Sequence, residues 1–211
     1  MSEDLRLFFA VPTPEEIKRQ AQQIQSQCDC PNVKIGWVGP DRMHFTLKFL
    51  GDTPEDHVPQ LAEVAREVAQ LHSVHQLTVA GVGAFPNIHR PRIIWVGCSA
   101  GAEQLTALGT ELDQALADAK LAKREKRGFV PHLTLGRVRK GYNFDKLAAT
   151  LAKFGDCILG QMRVDHFVLM HSDLQPGQPP VYTEIDYFKL GKSEEDGGSS
   201  PQENQCSEGV Q

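Results

Sequence analysis

Two four-residue segments, His44-Phe45-Thr46-Leu47 and His132-Leu133-Thr134-Leu135, share one polar-apolar alternation. Side chains in a β-strand point to opposite faces in turn. Each segment therefore sets an imidazole and a hydroxyl on one face, over an underside of two apolar side chains. The chain holds eight His and nine Thr. At that frequency a His-x-Thr with apolar residues at the two intervening positions arises by chance only about 0.05 times, so two copies are a real constraint. Either segment alone fits a half-buried strand whose histidine satisfies local hydrogen bonds.

Further alternating or β-rich runs occur at 5–11, 33–38, 43–50, 77–85, 92–98, 132–138, 163–170 and 181–190. Thr13-Pro14-Glu15-Glu16 offers an N-cap, a proline at the first helical position and early acids, and predicts a helix to about Gln27. Thr53-Pro54-Glu55-Asp56 repeats that signal ahead of an apolar stripe at Val58, Leu61, Val64, Ala65, Val68 and Leu71. Two more helices are predicted from about Ala102 to Lys120 and from Phe144 to Lys153. Strands follow one another without strict strand-helix alternation, which predicts an α+β fold with largely antiparallel sheets. Lys34-Ile35-Gly36-Trp37-Val38-Gly39 echoes Arg92-Ile93-Ile94-Trp95-Val96-Gly97, and each precedes one His-x-Thr strand. Two lobes related by a rough two-fold account for that echo.

Net charge is −5, yet the five acids Glu194, Glu195, Asp196, Glu203 and Glu208 all follow Lys192. The body before them is thus neutral, and the segment 193–211 is too polar to bury a core and is expected to be a disordered acidic tail. Residues 1–192 are expected to form a single domain. A neutral body gives no support to a broad, sequence-independent basic coat for nucleic acid. Basic residues do cluster, however, at Lys120, Lys123, Arg124, Lys126, Arg127, Arg137, Arg139 and Lys140. That run fits either a solvated surface or a phosphate-attracting rim. No apolar stretch reaches the roughly 18 residues of a membrane helix, and the N-terminus has no secretory pattern, so a cytoplasmic monomer without membrane contact is expected. Five cysteines, with Cys28-Asp29-Cys30 lacking the usual zinc spacing, read as reduced thiols.

Two His-Thr pairs facing one another suit a phosphate. Near neutral pH one imidazole can take a proton from an attacking water while the other protonates a departing oxygen. The threonine hydroxyls can donate to the non-bridging oxygens. The only acid close to either motif is Asp41, so no carboxylate cluster for metal ions is expected, nor any cofactor. His72-x-x-His75 has metal-like spacing but no further ligand in view and reads as a helix end; His57, His89, His166 and His171 show no partner pattern.

With these motifs stand Arg6-Leu7-Phe8-Phe9-Ala10, Trp37-Val38-Gly39-Pro40, Lys48-Phe49-Leu50-Gly51, Ala84-Phe85-Pro86-Asn87 and Phe129-Val130-Pro131 before His132, with Gly136-Arg137-Val138 after it. This ordered set, over about residues 5–190, resembles the two-histidine phosphoesterases, specifically the RNA 2′,3′-cyclic phosphodiesterases also called 2′-5′ RNA ligases or LigT-like proteins. The resemblance implies a bilobal fold with the site in a cleft between lobes. It implies hydrolysis of RNA 2′,3′-cyclic phosphate ends, or of nucleoside 2′,3′-cyclic phosphates, to 2′-phosphates, with a weak reversible 2′-5′ ligation. By the same resemblance His44 is the general acid and His132 the general base, with Thr46 and Thr134 as phosphate contacts.

Phe49 and Arg137 each lie five residues past a motif histidine, where the resemblance implies contacts to base and phosphate. Strict alternation puts both on the face opposite the histidines, unless the strands bulge or bend near Gly51 and Gly136. Lys48 has the parity to face the cleft and competes as the phosphate contact, while Phe49 fits a core position equally well. Two alternatives stay open: a non-catalytic module that binds RNA ends, and a phosphodiesterase for another small cyclic phosphate or a 2′-5′ linked oligonucleotide.

Overall fold

The computed structural model describes residues 4–28 and 30–191. The predicted tail at 193–211 lies outside the described residues. In chain order the elements are β1 (Asp4–Pro12), α1 (Glu15–Gln27), β2 (Val33–Trp37), β3 (His44–Pro54), α2 (Val58–Leu71), β4 (His75–Phe85), β5 (Ile93–Cys98), α3 (Ala102–Asp118), β6 (Leu133–Gly141), α4 (Asp145–Ala152), β7 (Ile158–Val164), β8 (His166–Asp173) and β9 (Val181–Lys189). The strands pair antiparallel in the order β7-β4-β5-β6-β3-β1-β8-β9, and β2 also pairs with β6.

The sheet has two halves, β7-β4-β5-β6 with β2 and β3-β1-β8-β9, and they meet at one residue pair, Phe45 opposite Leu133. Helices α1 and α4 pack on the first half, while α2 and α3 pack on the second against β9 and β3. The arrangement is the expected α+β fold of antiparallel strands with outer helices, its two sheets joined edge to edge through that pair. Alternation along β1 shows how one strand serves two surfaces. Leu7, Phe9 and Val11 enter the helix-covered core, where Phe9 packs edge-on to Phe167 with ring centroids 6.0 Å apart. Phe8 faces the other way, toward His44.

Three local readings differ from the structure. The run 163–170 is the end of β7 and most of β8, which turn at Asp165 from one half of the sheet to the other. Both strands bury apolar residues, so hydrophobicity runs on across the corner. Neither threonine caps a helix. The Thr13 hydroxyl is buried without a hydrogen-bond partner. Thr53 is still in β3, because the pairing of β3 with β1 runs out to Pro54 opposite Asp4. Sheet pairing there outcompetes the local cap signal, and α2 begins only after a 3₁₀ turn at Glu55–His57. The echo segments also behave unlike a simple repeat, since β2 and β5 both flank β6.

Gly136 is the close-packing point of β6. A Cβ there would lie 2.6 Å from the Trp37 ring and 2.8 Å from the Ile35 side chain. We expect Gly136→Ala to cost about 1–3 kcal/mol by overpacking. For a chain of this size that lowers the melting temperature by roughly 2–4 °C per kcal/mol, which calorimetry would read directly.

Candidate active site

Phe45 and Leu133, the apolar residues inside the two motifs, face each other where β3 meets β6. Antiparallel register on either side of that pair brings His44 next to Thr134 and Thr46 next to His132. All four polar side chains line one cleft of about 1530 Å³. The two motifs, 88 positions apart in the chain, therefore build a single site.

Each strand carries a bulge at the same place in its motif. β1 pairs Ala10 with Thr46 but Phe9 with Lys48, so Leu47 is the inserted residue. β5 pairs Trp95 with Thr134 but Ile94 with Gly136, so Leu135 is inserted. A bulge reverses the facing of the residues that follow it, up to the next irregularity at Leu50 in β3 and at Arg139 in β6. Phe49 accordingly emerges opposite Phe8 on the cleft side, 58% exposed, with the two ring centroids 5.7 Å apart. Arg137 also lines the cleft. The core reading of Phe49 is thus overturned. Lys48 borders the cleft but does not offer its charge there: past the same bulge its side chain is 2% exposed and engaged by carboxylates. Its Nζ donates to Asp113 on α3 and, at 2.7 Å, to the Lys123 carbonyl.

The two histidines have related settings. His132 Nδ1 lies 2.8 Å from the Val130 carbonyl. A carbonyl only accepts, so Nδ1 carries the proton and Nε2 is the free base of the neutral ring. His44 likewise hydrogen-bonds to the backbone two residues earlier, at Arg42. The imidazole of His44 stacks on Phe8 at 4.8 Å and meets the edge of Tyr182 at 5.4 Å, while Phe85 stands at 90° to His132 at 5.2 Å. Burial pushes the His44 pKa down to about 4, with the bond to Arg42 opposing and the His132 charge adding to the fall. Burial also lowers His132; the Val130 carbonyl opposes this and the Arg137 guanidinium reinforces it.

Charge in the cleft is one-sided. Arg42, Arg92, Arg124, Lys126, Arg127, Arg137 and Arg139 line it. Its two lining carboxylates, Asp113 and Glu125, are both engaged by Lys48. Of the basic run, Arg124, Lys126, Arg127, Arg137 and Arg139 therefore form a rim, whereas Lys120, Lys123 and Lys140 do not reach the cleft. Tyr182, which sequence reasoning missed, has its hydroxyl pKa raised by burial against the pull of Arg42, Arg137 and Arg6, so it remains a protonated donor. No local signal marks Tyr182, which sits in β9 and reaches the site only through sheet curvature. Arg42 was findable, because it lies two residues before His44. Away from the cleft, His72 Nε2 is 2.9 Å from Glu111. Among the described residues no group of three or more His, Cys, Asp or Glu is placed to hold a metal.

The LigT like Phosphoesterase family pattern matches residues 11–95 and again 96–181. The chain belongs to this family. The two matched segments divide the chain between the motifs, with one His-x-Thr segment in each. An RNA 2′,3′-cyclic phosphodiesterase of Methanothermobacter thermautotrophicus is 33% identical over 186 residues, spanning 88% of this chain and 99% of its own. One from Aquifex aeolicus is 31% identical over 187 residues, spanning 89% and 98%. A solved structure from Thermus thermophilus superposes with a TM-score of 0.71 at 28% identity, covering 88% of this chain and 97% of its own. Escherichia coli LigT complexed with 3′-AMP gives 0.68 at 26% identity, covering 89% and 99%.

The depressed His44 pKa has a stability consequence. The unfolded imidazole titrates near 6.5 and the folded one near 4, so between those values the unfolded chain binds the extra proton. The contribution of neutral His44 is whole above about pH 6.5 and is lost as pH falls toward 4. A His44→Asn variant should therefore lose less stability than the parent between about pH 7 and pH 4, as read from urea midpoints.

Proposed function

We propose that this LigT-like chain hydrolyses RNA 2′,3′-cyclic phosphate ends to 2′-phosphates by metal-independent general acid-base catalysis. The observation that carries the reading is the convergence of both His-Thr pairs on one positively charged cleft across the Phe45–Leu133 pair. The relatives named for this activity, matched over most of their length, support the same substrate class.

In the proposed step His132 Nε2 takes a proton from water as its oxygen attacks phosphorus. His44, as imidazolium, gives a proton to O3′ as the P–O3′ bond breaks, leaving the phosphate on O2′. Thr46 and Thr134 donate to the non-bridging oxygens. Arg137 is assigned to the phosphate and Phe49 to stacking on the terminal base, an aromatic platform being tolerant of base identity. A 5′-hydroxyl in place of water gives the 2′-5′ ligation that the resemblance implies. Burial by itself disfavours imidazolium at His44, and a bound phosphodiester anion restores it by bringing an opposite charge close. We further propose that the protein is a monomer and that it is cytoplasmic, the latter supported by the free thiols of Cys28, Cys30, Cys98 and Cys157.

Replacing His44 or His132 with Ala should each slow turnover of a nucleoside 2′,3′-cyclic monophosphate by about 10² or more, and Thr46→Ala or Thr134→Ala by less. On a phosphodiester of a highly acidic phenol, which leaves without a proton, His44→Ala should recover and His132→Ala should not; the opposite pattern reverses the roles.

The pH profile should be bell-shaped and insensitive to EDTA. Its limbs should lie at higher pH for kcat than for kcat/KM, because only the former reports the histidines with the anion bound. Coincident limbs would remove substrate-induced protonation from the mechanism.

A further inference from the structure

The fourteen residues 119–132 join α3 to β6, a length at which loops in compact domains usually serve a function. Their course is fixed from beneath. Lys48 Nζ, all but inaccessible, donates to Asp113 and to the Lys123 carbonyl, and Glu125 approaches it to 3.7 Å. Asp113 also accepts the Glu125 backbone N–H, at 3.2 and 3.1 Å to its two oxygens. Two buried or nearly buried side chains thus clamp the loop at Lys123 and Glu125. Arg124, Lys126 and Arg127, which alternate with and follow those clamped positions, line the same cleft as the histidines. All three are exposed, and none forms an ion pair among the described residues.

The cleft is also larger than one terminal nucleotide needs. Pockets for single small ligands run to about 1,000 Å³, against about 1530 Å³ here. The acid-base chemistry requires only the terminal phosphate, with Arg137 and Phe49 assigned to it and its base. Three unpaired cations on a clamped loop remain. We infer that Arg124, Lys126 and Arg127 form a second site, which holds the internal phosphodiesters of a single RNA strand leading to the cyclic end, with Lys48 and Asp113 as the positioning pair that keeps the loop there. The inference rests on the proposed function. It adds that the protein selects an RNA strand over a free cyclic mononucleotide.

The test compares kcat/KM for a nucleoside 2′,3′-cyclic monophosphate and for a short oligoribonucleotide ending in the cyclic phosphate. The parent protein should prefer the oligonucleotide by about ten-fold or more at low salt. That preference should shrink by about ten-fold between about 50 and 200 mM salt, as expected for two to three phosphate contacts on a single strand. In the Arg124→Ala, Lys126→Ala, Arg127→Ala variant the ratio should fall toward one. A parent ratio near one, or an unaltered ratio in the variant, overturns the inference. Turnover of neither substrate defeats the functional reading instead. Fluorescence anisotropy with an oligoribonucleotide ending in a 2′-phosphate then decides the strand site alone: about ten-fold weaker binding by the variant upholds it, and equal binding overturns it. The clamp has its own readout, because the loop cations are tryptic sites. Lys48→Met should speed trypsin cleavage within 119–132 and raise KM for the oligonucleotide more than for the mononucleotide. Asp113→Asn serves the same purpose if Lys48→Met does not fold, and unchanged cleavage in a folded variant removes the clamp from the account.

Discussion

The structure depends on the meeting of β3 and β6 at Phe45 and Leu133. A longer ladder between these strands would fuse the halves into a flat sheet with no cleft, and no pairing would leave two lobes with unrelated faces. One pair holds the halves in register yet lets the strands diverge on either side. The residues beside that pair are the motif histidines and threonines, so the point that joins the lobes also assembles the chemistry. The apolar undersides contribute twice, since Phe45, Leu47, Leu133 and Leu135 are core residues that fix the height of the polar face above them.

Matching bulges at Leu47 and Leu135 then reverse the facing of each strand just past its motif. Before the bulge the cleft receives histidine and threonine; after it the cleft receives Phe49 on one strand and Arg137 on the other. The same inversion buries Lys48 at the floor of the cleft, where its charge is balanced by Asp113 rather than offered to a ligand. A body without net charge thereby gathers an excess of guanidinium groups on one concave wall. The opposing carboxylates are already committed, so the field in the cleft is unbalanced and favours an anion.

Electrostatics and burial act on the histidines in the same direction. Desolvation and neighbouring positive charge both lower the imidazole pKa values, and the backbone carbonyls two residues upstream resist only partly. By itself a cleft of this kind holds neutral imidazoles over a positive wall. An anion in the cleft acts against that fall, because an opposite charge nearby favours imidazolium.

Much of this is legible in the sequence. Alternation within the two motifs determined that they are strands, which residues are dry, and that His44 shares a face with Thr46 and His132 with Thr134. Run lengths located most strands and all four helices, because those signals are local and periodic. Tertiary structure decided the rest. Parity alone assigned Lys48 to the cleft and Phe49 away from it, and bulges whose positions depend on neighbouring strands buried the first and exposed the second. Thr53 reads as a helix cap, but pairing of β1 with β3 out to Pro54 outweighs that local preference, and the N-cap of α1 is Pro14 rather than Thr13. Tyr182 enters the site through sheet curvature, and the Lys48–Asp113 clamp joins residues 65 positions apart. A sequence records which side chains can lie on a surface of given period. Which surfaces meet, and where a strand slips by one residue, is set by pairing energies shared among strands distant along the chain.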